Sequence, residues 1–97
     1  MYVKIHRSPA GDEVVAVCDR ELLNTRIRYG EVEIHISGAF YGGKLATPEE
    51  VSQMLLAADN ANIMGERSVA LAIRLGLVGK DGCIGIGSVP HAQIIRL

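Results

Sequence analysis

Three short segments of this chain carry side chains suited to proton transfer, hydrogen bonding or stacking, where core packing alone does not demand them. The first is Gly85-Ile86-Gly87-Ser88-Val89-Pro90-His91-Ala92-Gln93. His91 is the best general acid or base in the sequence, because an imidazole titrates near neutrality. Ser88 stands three residues before it across a Pro-stiffened turn, but a nucleophilic pair needs a third orienting group that the sequence does not supply. Asp59 and Glu66 are the carboxylates that could serve His91 in acid–base work. The glycines at 85 and 87 let a strand approach something closely on one face. They are not a dinucleotide fingerprint, since the third glycine is missing and a strand follows. Gly82 to Ser88 likewise lacks the Gly-Lys-Ser/Thr ending of a phosphate loop.

The second segment is Phe40-Tyr41-Gly42-Gly43. Paired glycines permit positive φ or close approach, and Tyr41 adds a stacking face with a hydroxyl. The plain alternative is a tight connection with an aromatic plugging the core edge. The third segment, Asp59-Asn60-Ala61-Asn62-Ile63-Met64-Gly65-Glu66-Arg67, reads as a helix–helix junction. Its Asn, Asp, Glu and Arg side chains can cap helix ends and close Asx turns. They outnumber what two caps require, which makes the junction a candidate ligand site. The candidate binding set is therefore Tyr41, Gly42, Gly43, Asn60, Asn62, Arg67 and His91.

Elements must be found to position these groups. Tyr2–His6 alternates, with Val3 and Ile5 on one side; a turn at Ser8-Pro9-Ala10-Gly11-Asp12 follows, then the apolar run Val14–Val17. This pattern predicts a hairpin whose second strand is buried on both faces. Asp19 to Gly30 fits a helical turn or a loop. Glu31–Ser37 alternates cleanly and predicts a strand with Val32, Ile34 and Ile36 inward and Glu31, Glu33 and His35 outward. Thr47, Pro48 and Glu50 make an N-cap, a first helical residue and a capping box, ahead of the apolar stripe Val51, Met54, Leu55 and Ala58. A second helix is predicted over roughly Glu66 to Leu75, with Gly76 as its C′ residue. Ile84 and Ile86 suggest a strand, and His91–Leu97 another. Strands, then paired helices, then strands argue for an α+β fold: a mainly antiparallel sheet with two helices inserted between strands, in a single domain over residues 1–97.

Composition excludes several classes of function. The chain has 97 residues, is 48% hydrophobic and only 4% aromatic, and carries a net charge of −1. That apolar content excludes a disordered chain. No apolar run approaches the roughly 20 residues of a membrane span. No leader is evident, which points to the cytoplasm. Residues 1–60 hold 6 positive and 9 negative side chains and residues 61–97 hold 4 and 2, so neither part is basic enough to coat duplex nucleic acid. Arg20, Arg26 and Arg28 form the one local basic group, diluted by Asp19 and Glu21. Cys18 and Cys83 are too isolated for a zinc or redox unit; Cys18 reads as a buried, inert thiol. His6 and His35 fall on outward faces of separate strands. No metal and no cofactor is expected.

Taken together, Met1-Tyr2-Val3-Lys4-Ile5-His6-Arg7, the Glu13–Asp19 run, Phe40-Tyr41-Gly42-Gly43, Ala58-Asp59-Asn60-Ala61-Asn62 with Gly65-Glu66-Arg67, and Gly87-Ser88-Val89-Pro90-His91-Ala92-Gln93 resemble a small archaeal family. It is the family catalogued as domain of unknown function 424, and the similarity covers essentially the whole chain. The resemblance implies an archaeal cytoplasmic origin, one α+β domain and no established activity. It brings no catalytic or binding residues.

Function therefore rests on the residues themselves. The leading expectation is a small binding module, accessory to RNA or ribonucleoprotein machinery, with Tyr41 stacking, Asn60 and Asn62 reading polar edges, and Arg67 with Arg26 and Arg28 holding phosphate. The alternatives are a small hydrolase or transferase built on His91, and a structural or protein-interaction domain that could form an oligomer.

Overall fold

The computed structural model describes residues 1–96. A six-stranded sheet runs in the order β5-β1-β2-β6-β8-β7, and a separate two-stranded sheet is formed by β3 and β4. The strands are β1 (Tyr2–Arg7), β2 (Glu13–Cys18), β3 (Arg26–Tyr29), β4 (Val32–His35), β5 (Lys44–Leu45), β6 (Asn60–Met64), β7 (Ile84–Ile86) and β8 (Val89–Ile95). The helices are α1 (Gly38–Tyr41), α2 (Pro48–Ala57) and α3 (Glu66–Arg74). Every strand pair is antiparallel except β2 with β6. The fold is α+β, as the order of elements predicts.

The β1–β2 hairpin forms as expected, and Val15, Ala16, Val17 and Cys18 are all buried. Alternation distributes them. Val15 and Val17 point toward α2 and α3, into a core shared with Val3, Val51, Leu55, Ile63 and Ala72. Ala16 and Cys18 point the other way, beside Ile36, Tyr41 and Met64. The capping box that starts α2 is complete: Glu50 N–H donates to Thr47 Oγ1 at 3.2 Å, and Thr47 N–H donates to Glu50 Oε1 at 3.1 Å. Lys44 bonds the same carboxylate, and with the cap it holds the Glu50 carboxyl down at about 2. α3 ends as expected, one residue before Leu75, with Gly76 at φ 74°.

Four expectations are corrected. The segment 59–67 is not a helix–helix junction, because Asn60–Met64 is a central strand between β2 and β8. Asn has poor strand propensity, but Ala61 and Ile63 alternate into the helical core, and tertiary burial outweighs that preference. Asp19 to Gly30 is more than a turn: a 3-10 turn at Arg20–Leu22 leads into β3, which pairs with β4. The predicted strand at 31–37 shortens to Val32–His35, and Val32 is 59% exposed rather than inward. It lies at the tip of the hairpin beyond the reach of the core, while Ile34 and Ile36 do turn inward. Pro90 belongs to β8, and its carbonyl accepts Gly65 N–H at 2.8 Å. Of the predicted last strand His91–Leu97, Leu97 lies outside the described residues.

Candidate functional site

The sheet has two covers of unequal extent. α2 and α3 close one face. On the other, α1 and the β3–β4 hairpin cover only part, through Tyr41, Ile36, Ile27 and Ile34. Strand register gives the rest of this second face. His6 pairs with Val14, Asn60 with Ile95, Asn62 with Gln93, and Met64 with His91. Because Val15 pairs with Ala61, Val14 and Asn60 lie side by side one step before that pair. His6, Val14, Asn60 and Ile95 thus form one row across four strands, about 14 Å wide at ordinary strand spacing. Asn62 and Gln93 continue the next row. Gln93 is exposed, Ile95 is 62% exposed, and His6, Val14, Asn60 and Asn62 are half-buried.

α1 frames this open half. Ser37 caps it, accepting Phe40 N–H at 3.2 Å. The helix is anchored to β1, since Lys4 Nζ donates to the Ala39 carbonyl at 2.9 Å and His6 Nε2 lies 2.7 Å from the Phe40 carbonyl. Phe40 consequently stacks on the His6 ring, centroids 4.6 Å apart and planes 19° from parallel, and meets Tyr41 edge-on. Gly42 and Gly43 serve this anchoring. A side chain on Gly43 would overlap the Val3 carbonyl and Lys4, and one on Gly42 would collide with the first residue of α1.

Tyr41 is only 6% exposed, so its ring is not offered for stacking; Phe40 and His6 take that place. Its hydroxyl instead donates to Asn62 Oδ1 at 2.5 Å. Burial pushes the Tyr41 phenol up to about 12, so it remains a donor throughout the physiological range. Asn62 and His91 are diagonal neighbours on paired strands, about 7–8 Å apart between Cα atoms. His91 Nδ1 is fully buried with no hydrogen-bond partner among the described residues. Burial pushes the His91 pKa below its ordinary value, with the Ile63 backbone opposing.

No other candidate is hydrogen-bonded to the His91 ring among the described residues. Asp59 precedes the end of β6 remote from His91, five residues from Met64 and about 16 Å away along the strand. Glu66 is exposed at the start of α3 and makes no hydrogen bond to His91 among the described residues, nor does Ser88. Arg67 is on α3, its guanidinium paired with Glu21, while Arg26 pairs with Glu33. Of the phosphate-holding set expected from sequence, Arg67 and Arg26 are thereby held in separate ion pairs, while Arg28 is exposed on β3. The N-terminus of α3 is also filled from within. The Asp19 carboxylate, 3% exposed, accepts Arg67 N–H at 3.0 Å, Ser68 N–H at 2.8 Å and Ser68 Oγ–H at 2.7 Å. Gly65, at φ 113°, leaves no room for any side chain beside that carboxylate. An internal anion there occupies the place a bound phosphate would take.

Among the described residues no group of three or more His, Cys, Asp or Glu side chains is placed to hold a metal ion. No helix there is long and apolar enough to cross a membrane. Cys18 is buried and its thiol is pushed up to about 11, while half-buried Cys83 donates to the Gly79 carbonyl at 3.4 Å. Two adjoining cavities of about 400 and 420 Å³ lie around the C-terminal end of α2, and the second reaches the margin of the open face at Val14, Asn60 and Ile95. Sequence reasoning missed His6, Phe40, Gln93 and Ile95 as members of the open face. The only available signal was the alternation of His6 in β1 and of Gln93 in β8, which sets a face but not what covers it.

Comparison with known proteins agrees with this architecture. The chain is similar to a solved structure titled as an uncharacterized conserved protein from Methanopyrus kandleri, with a TM-score of 0.80 and 29% identity. The alignment covers 99% of this chain and 92% of that one. No curated protein matches. The family model described as "Protein of unknown function (DUF424)" spans residues 6–97, and the chain belongs to that family.

Proposed function

We propose that this protein is a binding module for a short single-stranded RNA segment, acting in the cytoplasm as an accessory of RNA or ribonucleoprotein machinery. The observation that carries the reading is the open half of the sheet, where the His6–Phe40 stack shares one face with the amides of Asn60, Asn62 and Gln93, two and three strands away. Unpaired bases offer π-faces to an aromatic pair and polar edges to side-chain amides, and a β-sheet face spaces both over several nucleotides. Val14 and Ile95 supply apolar surface between the polar groups.

Charge shapes the expectation. Arg7 next to the face is paired with Glu13, and Lys4 is bonded to Ala39. Few phosphates would be neutralised, so affinity should fall only gently with salt. Arg67, engaged with Glu21 on α3, should contribute little. The acid–base alternative loses support because Asp59 stands at the far end of β6 from His91.

The test is an NMR titration of ¹⁵N-labelled protein with a single-stranded RNA octamer at low salt. Shifts are expected at Phe40, Asn60, Asn62, Gln93 and Ile95, with α3 unaffected. No shift at millimolar RNA, or shifts confined to α3 and the β3–β4 hairpin, would overturn the reading.

A further inference from the structure

The hydrogen bond between Tyr41 and Asn62 gives the open face a chemical polarity. Asn is ordinarily ambidextrous: one end of its amide accepts, the other donates, and a free amide turns to suit its partner. That freedom lets an Asn pair with both N6–H and N7 of adenine, presenting oxygen and nitrogen together. Here the buried Tyr41 hydroxyl donates to Oδ1 at 2.5 Å, and that oxygen is turned toward the protein interior. The opposite end, Nδ2 with its two N–H donors, makes no hydrogen bond among the described residues and belongs to a half-buried side chain whose strand partner is Gln93. Tyr41 cannot easily exchange roles. Its ring is 6% exposed, and the hydroxyl hydrogen has Asn62 Oδ1 as its partner, so turning the amide would strand a buried donor.

We infer that Asn62 is locked as a hydrogen-bond donor and that the face selects bases presenting carbonyl acceptors, uracil above all, over adenine. Uracil presents O2 and O4 on either side of one N–H, so a fixed donor meets an acceptor on either edge. Adenine offers such a donor only its ring nitrogens, and its exocyclic amine loses the oxygen that would have received it. Gln93, across the strand pair from Asn62, keeps a free amide and can supply the acceptor for the uracil N–H. Asn60, one row away, has no hydrogen bond to a side chain among the described residues and adds no fixed preference. Tyr41 is here a positioning residue: it acts through the orientation of Asn62 and does not touch the base.

This inference rests on the RNA-binding reading of the face, and the experiment separates the two. Fluorescence anisotropy would compare labelled oligo-U and oligo-A octamers binding to the wild-type chain, Asn62→Asp and Tyr41→Phe, with far-UV circular dichroism checking that each variant is folded. The wild-type chain is expected to prefer oligo-U by about fivefold or more, the discrimination that one well-placed base-edge contact supplies. Asn62→Asp keeps an acceptor for Tyr41 but replaces the outward donors with oxygen, so the preference should vanish or invert. Tyr41→Phe frees the amide to turn, so oligo-A should gain on oligo-U while binding itself persists. If the aspartate variant does not fold, the phenylalanine variant alone decides. Equal wild-type affinity for the two oligomers, or a preference that Tyr41→Phe leaves intact, overturns the lock even if RNA binds. Failure of both oligomers to bind overturns the RNA-binding reading, and the lock falls with it.

Discussion

Under α2 and α3 the sheet presents Val3, Val15, Val17, Ala61, Ile63, Ala92 and Ile94; under α1 and the β3–β4 hairpin the same strands present His6, Asn60, Asn62, His91 and Gln93 among smaller apolar groups. The difference follows the covers. A ten-residue and a nine-residue helix can bury a wide apolar stripe, so the buried part of the first face is aliphatic, and the Arg7–Glu13 pair stands at its exposed end. A four-residue helix and a two-stranded arm cannot, so the second face keeps polar groups at its margin with one buried bond, Tyr41 to Asn62, at the boundary. The helical side holds the larger core, and the other side holds a smaller one together with the polar groups of the candidate site. Each region can be perturbed with little cost to its opposite.

The largest effect is expected at the helical core. Leu55→Ala removes a side chain with no exposed surface and should cost about 2–5 kcal/mol in urea denaturation, with RNA affinity of the folded fraction unchanged. A cost below 1 kcal/mol would break the assignment of the larger core to this face. Asp19→Ala comes next. It strips the buried acceptor from two backbone N–H groups and a hydroxyl at the start of α3, and should cost about 2–3 kcal/mol by the same measurement.

Tyr41→Phe sharpens the boundary between faces: one buried hydrogen bond lost, about 1 kcal/mol, with the fold intact by circular dichroism. Smaller again is the effect of Gln93→Ala or Asn60→Ala on stability, within about 0.5 kcal/mol, because both sit on the open margin. Their RNA affinity should nonetheless fall several-fold; unchanged binding in both would remove the functional half of the comparison.

pH supplies a last and slight probe. The pKa of His91 is lowered by burial, so the unfolded chain binds its proton more readily than the folded one. The His91 contribution is therefore full above the ordinary imidazole pKa and declines as pH falls through and below it, toward the depressed folded value. His91→Gln should flatten this part of the pH–stability curve measured by thermal denaturation. The Glu50 carboxyl, held down at about 2 by Lys44 and Thr47, contributes above its usual range and loses that contribution as pH falls toward 2; Glu50→Gln should abolish the acid-side loss.

Helices α2 and α3 were the most legible part of the chain, whereas the short α1 (Gly38–Tyr41) was not read from it. Thr47-Pro48-x-Glu50 and Gly76 act through bonds between residues three or four apart, so their meaning does not depend on the rest of the fold. The β1–β2 hairpin was legible for the same reason. The strand at Asn60–Met64 was not, because its two asparagines conceal the alternation of Ala61 and Ile63, and only the flanking β2 and β8 make that segment extended. The β3 strand was hidden likewise, since its Arg-Ile-Arg-Tyr pattern has a single inward residue.

The candidate site divides along the same line. Sequence by itself determined which residue types are present to do chemistry, the α+β order of elements, and the lack of a broad basic surface. It also marked Tyr41, Asn62 and His91 as more polar than packing requires. Only the tertiary structure decided that Tyr41 is buried and Phe40 exposed, that Asn62 faces Tyr41 across 21 residues of chain, and that Asp59 and Arg67 belong to other parts of the molecule. The physical reason is range. Caps, turns and alternation are fixed by neighbours in the chain, whereas which side of a strand is covered, and by what, is fixed by strand register and by the length of the elements that pack upon it.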